Sequence, residues 1–148
     1  MDILKDLVLN TLKKHKLNVT PARVQTLATF LNVDYALSQP VLEKKLGTEF
    51  DRVTIYRTLN SFVTKGLIHK IYDESGTTKF ALCTHTSCSK QKHEDNHVHF
   101  TCSECSNTTC LDQLFPFPEY ESSYGYQINM VNVVLNGICP KCSQISIN

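Results

Sequence analysis

Residues 51–66 read DRVTIYRTLNSFVTKG. An aspartate opens the stretch and a glycine closes it, which is how helices are commonly punctuated. Ile55, Leu59, Phe62 and Val63 recur at three- and four-residue spacing and form one apolar face, while Arg57, Asn60 and Thr64 fall opposite with Tyr56 on the flank. The stretch is therefore expected to be an amphipathic helix with one face in a core. Its outer face carries an arginine and a tyrosine, side chains suited to a nucleic-acid groove.

The residues before it support that reading. Ser38 can cap a short helix carrying Val41, Leu42 and Leu46, which Gly47 ends. Two short helices in this order resemble a helix-turn-helix, whose second helix enters the major groove. Further upstream, Ile3, Leu4, Leu7, Val8 and Leu12 mark a first helix, expected to stop before the polar run Lys13-Lys14-His15-Lys16. Thr20-Pro21 then supplies a cap and an N1 proline for a second helix bearing Val24, Leu27, Ala28 and Leu31. Downstream of Gly66, residues 67–72 and 78–82 flank the turn Asp73-Glu74-Ser75-Gly76 and read as a β-hairpin wing.

Charge separates the chain into two modules. Residues 1–70 hold eleven Lys/Arg against six Asp/Glu, and residues 71–148 hold four against eight. All seven cysteines lie after residue 82. A basic module without cysteine suits a polyanion, and an acidic one rich in cysteine suits metal chemistry. There is no apolar run long enough to span a membrane and no hydrophobic signal core, so a cytoplasmic protein is expected. In a reducing cytoplasm, clustered cysteines are more often ligands than disulfides.

Within the basic module, Arg57, Arg52, Thr54 and Tyr56 are the candidate DNA contacts on the fourth helix. Arg57 suits a guanine edge or a phosphate, and Tyr56 a thymine methyl. Lys13, Lys14, Lys16 and Arg23 suit phosphates. Charge alone favours an ordinary solvated helix face, the usual explanation for exposed charges, but that does not explain the order of helices followed by a hairpin.

Cys102-Ser-Glu-Cys105 and Cys139-Pro-Lys-Cys142 are two CxxC pairs, each turning two sulfurs toward one ion. They point to a four-thiolate structural zinc, which would stand in for the hydrophobic burial a small module lacks. A thioredoxin-type redox site would instead show one CxxC beside a βαβ pattern. His97-Val-His99 alternates as a strand does and places two imidazoles on one side. With His69 in the first wing strand and Cys83 just after the second, they form a candidate regulatory site tying the modules together across a hinge at 84–96. Cys110 is a candidate extra ligand or a small buried hydrophobe, while His85, Cys88 and His93 form a candidate accessory set.

VTPAR at 19–23, TIYRTLNSF at 54–62, GLIHK at 66–70, HVHFTCSEC at 97–105 and GICPKC at 137–142 together resemble the ferric-uptake-regulator family over nearly the whole chain. The resemblance implies an α+β protein, with a winged helix-turn-helix domain at 1–83, a hinge at 84–96 and a small α/β zinc-binding dimerisation domain at 97–148. It also implies a homodimer that represses metal-uptake genes by binding operator DNA, with no membrane and no small organic substrate as partner. Tyr56, Arg57, Arg23 and the four CxxC cysteines carry over residue by residue.

Departures from the iron-sensing pattern are informative. Where iron and peroxide sensors usually place a histidine before the third helix, a carboxylate ending the second wing strand and an aspartate between the strand histidines, this chain has Ala36, Ala81 and Val98. His69, Cys83, His97 and His99 instead resemble the regulatory ligands of zinc-uptake regulators, and thiolate with imidazole suits Zn(II) better than oxygen-preferring ions. Cys110 stands where relatives carry a glutamate ligand. The segment Phe115–Tyr126, interrupted by two prolines, looks short for the long dimerisation helix of many relatives. The rival readings are an iron-, manganese- or peroxide-responsive member of the same family, a zinc-ribbon adaptor, and a zinc enzyme such as a nucleobase deaminase. An adaptor leaves the basic winged helix unexplained. A deaminase expects H-x-E and P-C-x-x-C, which the chain lacks.

Overall fold

Asp51 caps the helix that Arg52 begins, its carboxylate accepting a hydrogen bond from the backbone N–H of Thr54 at 2.7 Å. The computed structural model describes residues 2–83, 97–114, 124–127 and 132–146. Four helices open the chain: α1 (Ile3–Lys14), α2 (Pro21–Leu31), α3 (Gln39–Leu46) and α4 (Arg52–Thr64). Each of the last three starts on the cap its sequence provides, with Thr20 accepting from Arg23 N–H and Ser38 from Val41 N–H. At the far end of α4, Gly66 takes φ 71°. Its N–H donates to Val63 O, and that of Leu67 reaches back to Phe62 O, the paired bonds that turn a chain out of a helix. The same pattern closes α1, with Lys16 rather than glycine in the left-handed position at φ 57°.

Helices α1 to α4 enclose a core in which Leu12, Leu27, Leu42, Ile55, Leu59 and Phe62 are each at most 1% exposed. The apolar face expected for α4 is thus the one it buries. Two expectations need correction. In α1 only Val8 and Leu12 are buried, with Leu4 packed beside them, while Ile3 and Leu7 are exposed and the helix runs on through Lys13 and Lys14. Residues 4, 8 and 12 form a single i, i+4 ridge, and residues 3 and 7 lie on the next ridge round, beyond the contact. Val41 of α3 is likewise exposed.

Strands β1 (Leu37–Ser38), β2 (Ile68–Ile71) and β3 (Lys79–Leu82) form a sheet in the order β1-β3-β2. β2 and β3 are the expected wing, pairing antiparallel with Ile68 opposite Leu82 and His69 opposite Ala81. The wing turn is held by Asp73, which accepts from Ser75 N–H and pairs with Lys79 Nζ at 2.7 Å. β1, which sequence periodicity did not reveal, joins this sheet just ahead of α3.

The chain divides into two compact units, Met1–His93 and Glu94–Asn148. In the second, β4 (His97–Cys102) lies between β5 (Thr108–Leu114), antiparallel to it, and β6 (Val134–Gly137), parallel to it, and the helix α5 (Pro140–Ser146) follows. The hinge expected at 84–96, with His85, Cys88 and His93, lies outside the described residues, as does most of the segment 115–126. No helix among the described residues is long and apolar enough to cross a membrane.

The Asp51 cap has a pH signature. Its hydrogen bonds from Thr54 hold the carboxyl below the ordinary value of 3.8, helped by the positive charge of Arg57. A carboxylate with a depressed folded pKa stabilises the fold above the unfolded pKa, and that contribution is lost as pH falls through the folded value. Asp51→Ala is therefore expected to lower the thermal midpoint at neutral pH, and the gap from the unaltered chain to close in melts below the carboxylate range.

Candidate metal centre and nucleic-acid-binding face

The second unit buries little: among its described hydrophobic residues only Val98 and Cys102 are below 9% exposure. What gathers around Cys102 is sulfur. Cys102 ends β4, the turn 103–106 brings Cys105 round, and the exit of β6 presents Cys139, with Cys142 one turn into α5. The turn is clamped by Cys102 N–H donating to Asn107 O and Ser106 N–H to Cys102 O, with Ser106 at φ 62°. It is tied to β6 by Ser103, whose N–H and hydroxyl both donate to Gly137 O. The four Sγ atoms lie within 4.8 Å of one another, and Cys105 Sγ is 3.9 Å from Cys139 Sγ. A tetrahedral ion with metal–sulfur bonds of about 2.3 Å sets its ligands roughly 3.8 Å apart. The quartet fits one such ion, and an all-thiolate set suits zinc before any oxygen-preferring cation.

The electrostatics agree with that fit. Backbone N–H groups of Cys105 and then Cys139 point at Cys102 Sγ and pull its thiol down to about 6, the Cys139 N–H lying 3.3 Å away. Cys142 is pushed up to about 12, chiefly by its hydrogen bond to Cys139 and then by burial. One thiolate is welcome in this nest and further ones are penalised unless a cation neutralises them.

Of the five remaining candidate ligands among the described residues, four form two pairs, one pair in each unit. In the first, His69 on β2 lies 3.4 Å by Nδ1 from Cys83 Sγ. Cys83 is held by its N–H donating to Leu67 O, just beyond the end of α4. For a tetrahedral ion, one nitrogen and one sulfur ligand stand about 3.5 Å apart. In the second, His99 on β4 is directly opposite Cys110 on β5, so both leave the same face of the sheet. His99 is buried and Cys110 half-buried. The ladder slips between His97 and Val98, so the strict alternation expected for the two histidines is interrupted at that step.

On the first unit, Tyr56 is 56% exposed and Arg57 is also exposed, whereas Thr54 is half-buried. Arg57 and Arg23 share a cleft of about 580 Å3 with Asn18, Phe50 and Thr58. Arg23 Nη1 donates to Asn18 O at 2.9 Å, which holds the guanidinium beside the start of α2. Lys13 and Lys14 are exposed in the last turn of α1, where cations also favour the helix dipole. Arg52 is exposed but engaged by Glu43 of α3, a partner that sequence reading missed because nothing local links the two positions.

A family model described as the ferric uptake regulator family matches residues 14–136. The chain belongs to that family. Among curated relatives, a ferric uptake regulation protein of Vibrio vulnificus (strain CMCP6) is 30% identical over 135 residues, covering 86% of this chain and 85% of the relative. The crystal structure of the Vibrio cholerae ferric uptake regulator superposes with a TM-score of 0.57 at 27% identity, over 88% of this chain and 98% of that one. A zinc uptake regulator complexed with zinc and DNA superposes with a TM-score of 0.69 over the whole of both chains, at 18% identity, a likeness of fold. The family is one of metal-responsive transcriptional regulators, and this chain is a metal-binding, DNA-binding member of it.

Removing one sulfur should collapse the thiolate centre. Cys139→Ser is expected to retain well under one tightly held divalent ion per chain by elemental analysis after desalting. Far-ultraviolet circular dichroism should then show lost strand signal from the second unit, because small metal domains draw their folding energy from the ion.

Proposed function

We propose that the chain is a zinc-responsive repressor of metal-uptake genes, a cytoplasmic homodimer that binds operator DNA when a regulatory zinc is held. His69 and Cys83 from the first unit, with His97 and His99 from the second, are its proposed ligands, and Cys110 is an additional one. Cys102, Cys105, Cys139 and Cys142 hold a separate structural zinc. The observation carrying this reading is the His69–Cys83 pair, a nitrogen and a sulfur 3.4 Å apart at the base of the wing. Soft donors of this kind select zinc. Positions 36, 81 and 98, where an oxygen-rich site would draw ligands, hold alanine, alanine and valine, all buried.

When bound, the regulatory zinc supplies a preference for the closed arrangement that gathers its ligands, and that differential affinity is what shifts the population. The protein does the rest. Closure sets two copies of α4 at the separation of successive major grooves, about 34–36 Å, so a palindromic operator is read by a two-fold dimer. Arg57 and Tyr56 meet base edges, while Arg23, Lys13 and Lys14 neutralise phosphates.

An iron- or manganese-responsive regulator is the second reading. It is favoured by the 30% identical relative, whose name is that of a ferric regulator.

Operator-binding titrations in the presence of Zn(II), Fe(II) or Mn(II) separate the two readings. Cys83→Ser is expected to lose zinc-dependent DNA binding while keeping the structural zinc and the dimer. Full zinc-responsive binding by that variant, or restoration of the metal-stripped chain by Fe(II) or Mn(II) but not Zn(II), would falsify the zinc assignment. Arg57→Ala should weaken specific binding by about 1–3 kcal/mol, read by fluorescence anisotropy.

A further inference from the structure

We propose that Glu43 and Gln39 are positioning residues that hold Arg52 as a guanine reader at the start of α4, beside an apolar wall of Val53 and Tyr56 that receives a neighbouring thymine methyl. The proposal rests on the reading that α4 enters the major groove.

Arg52 is the first residue of α4, where a cation opposes the helix dipole, and the first turn holds no acidic residue. Helix stability therefore gives no reason for an arginine there. Its Nε instead forms an ion pair with Glu43 Oε1 at 3.4 Å, the arginine side chain being 83% exposed and the glutamate 24%. Gln39, one turn earlier on α3, donates through Nε2 to the same Glu43 oxygen at 3.0 Å and to the backbone carbonyl of Arg52 at 3.3 Å. The amide thus pins the carboxylate and the first turn of α4 to each other. An exposed ion pair contributes little to stability. The pair engages Nε, so the fork of two terminal nitrogens on this largely exposed side chain remains available to a ligand. That fork matches O6 and N7 of guanine in the major groove.

The surroundings narrow the choice between base and phosphate. Gln39, Pro40, Glu43, Arg52, Val53 and Tyr56 line an open cleft of about 590 Å3. Val53 is 54% exposed and Tyr56 56%, so the wall of this cleft is apolar and accessible. A phosphate gains nothing from such a wall. Thymine, alone among the bases, offers a methyl group in the major groove. A fork beside an apolar wall is therefore complementary to a guanine next to a thymine. Glu43 also sets a negative charge near the backbone, which weakens sequence-indifferent binding and sharpens discrimination.

The test starts with selection from a randomised duplex library by the zinc-loaded full-length chain, followed by anisotropy titrations of the selected duplex with every base pair changed in turn. Glu43→Ala should bind unselected DNA at least as tightly as the unaltered chain, yet lose roughly tenfold discrimination at one guanine position. Arg52→Ala should lose discrimination at that same position, and the double variant no more than Arg52→Ala alone. Glu43→Gln should retain it, since its amide oxygen can take the carboxylate's place opposite Nε. Uracil in place of the adjacent thymine should weaken the unaltered chain several-fold and Val53→Ala hardly at all. A Glu43→Ala profile that matches the unaltered one at every position overturns the proposal, as does an Arg52→Ala variant that weakens all duplexes alike. Failure of the unaltered chain to enrich any duplex would instead overturn the DNA-binding reading on which the proposal stands.

Discussion

Four cysteine sulfurs within 4.8 Å of one another cannot all ionise without a cation among them. Backbone N–H groups stabilise one thiolate, at Cys102, and the opposite shift at Cys142 shows the penalty on adding others. A divalent ion removes that conflict and at the same time joins the end of β4, the exit of β6 and the start of α5. Among the described residues of the second unit few apolar side chains are buried, and none supplies a comparable tie between these elements. The parallel pairing of β4 and β6, which needs a long connection between them, is anchored at one end by Cys102 and Cys139. Whatever regulatory ligands β4 and β5 carry are positioned by a sheet that this centre holds in register.

Much of the first unit was legible in the sequence because its determinants are local. Ser38, Asp51 and Thr20 sit where their side chains reach an N–H three residues on, and Gly66 sits where the backbone must turn left-handed. Such signals need no knowledge of the rest of the chain. Apolar periodicity is less complete information. It orients a helix but does not say how wide its contact is, so Ile3, Leu7 and Val41 were read as core and are exposed. β1 is two residues long and exists only because Phe80 and Lys79 lie beside it. α5 has seven residues and no amphipathic repeat to announce it.

The sites divide along the same line. A CxxC pair is local, and two of them in one small unit left little choice but to meet. The Glu43–Arg52 pair spans two helices and a turn, and neither residue carries a local mark of the other. Only the placement of a cation at a helix start, against the dipole, hinted that Arg52 was held there for a reason other than the helix.

Within the first unit, hydrogen bonds link His69 and Cys83, at the base of the wing, to helix α4. Cys83 N–H donates to Leu67 O, and Leu67 N–H donates to Phe62 O in the last turn of α4. His69 follows Leu67 by two residues on β2. Its partner strand β3 also pairs with β1, whose Ser38 caps α3. A force applied at His69 and Cys83 therefore reaches the C-terminal end of α4 through two hydrogen bonds, and the N-terminal end of α3 through one strand pairing. The core beneath the strands and caps is closely packed, which favours joint over piecemeal movement of the helix pair and wing. The base of the wing is thus bonded to both α3 and α4, whereas at the tip Asp73 and Ser75 are bonded to each other within the turn. In the proposed zinc-responsive regulator, placement of the soft donors at the base would let a single ion govern where α4 points.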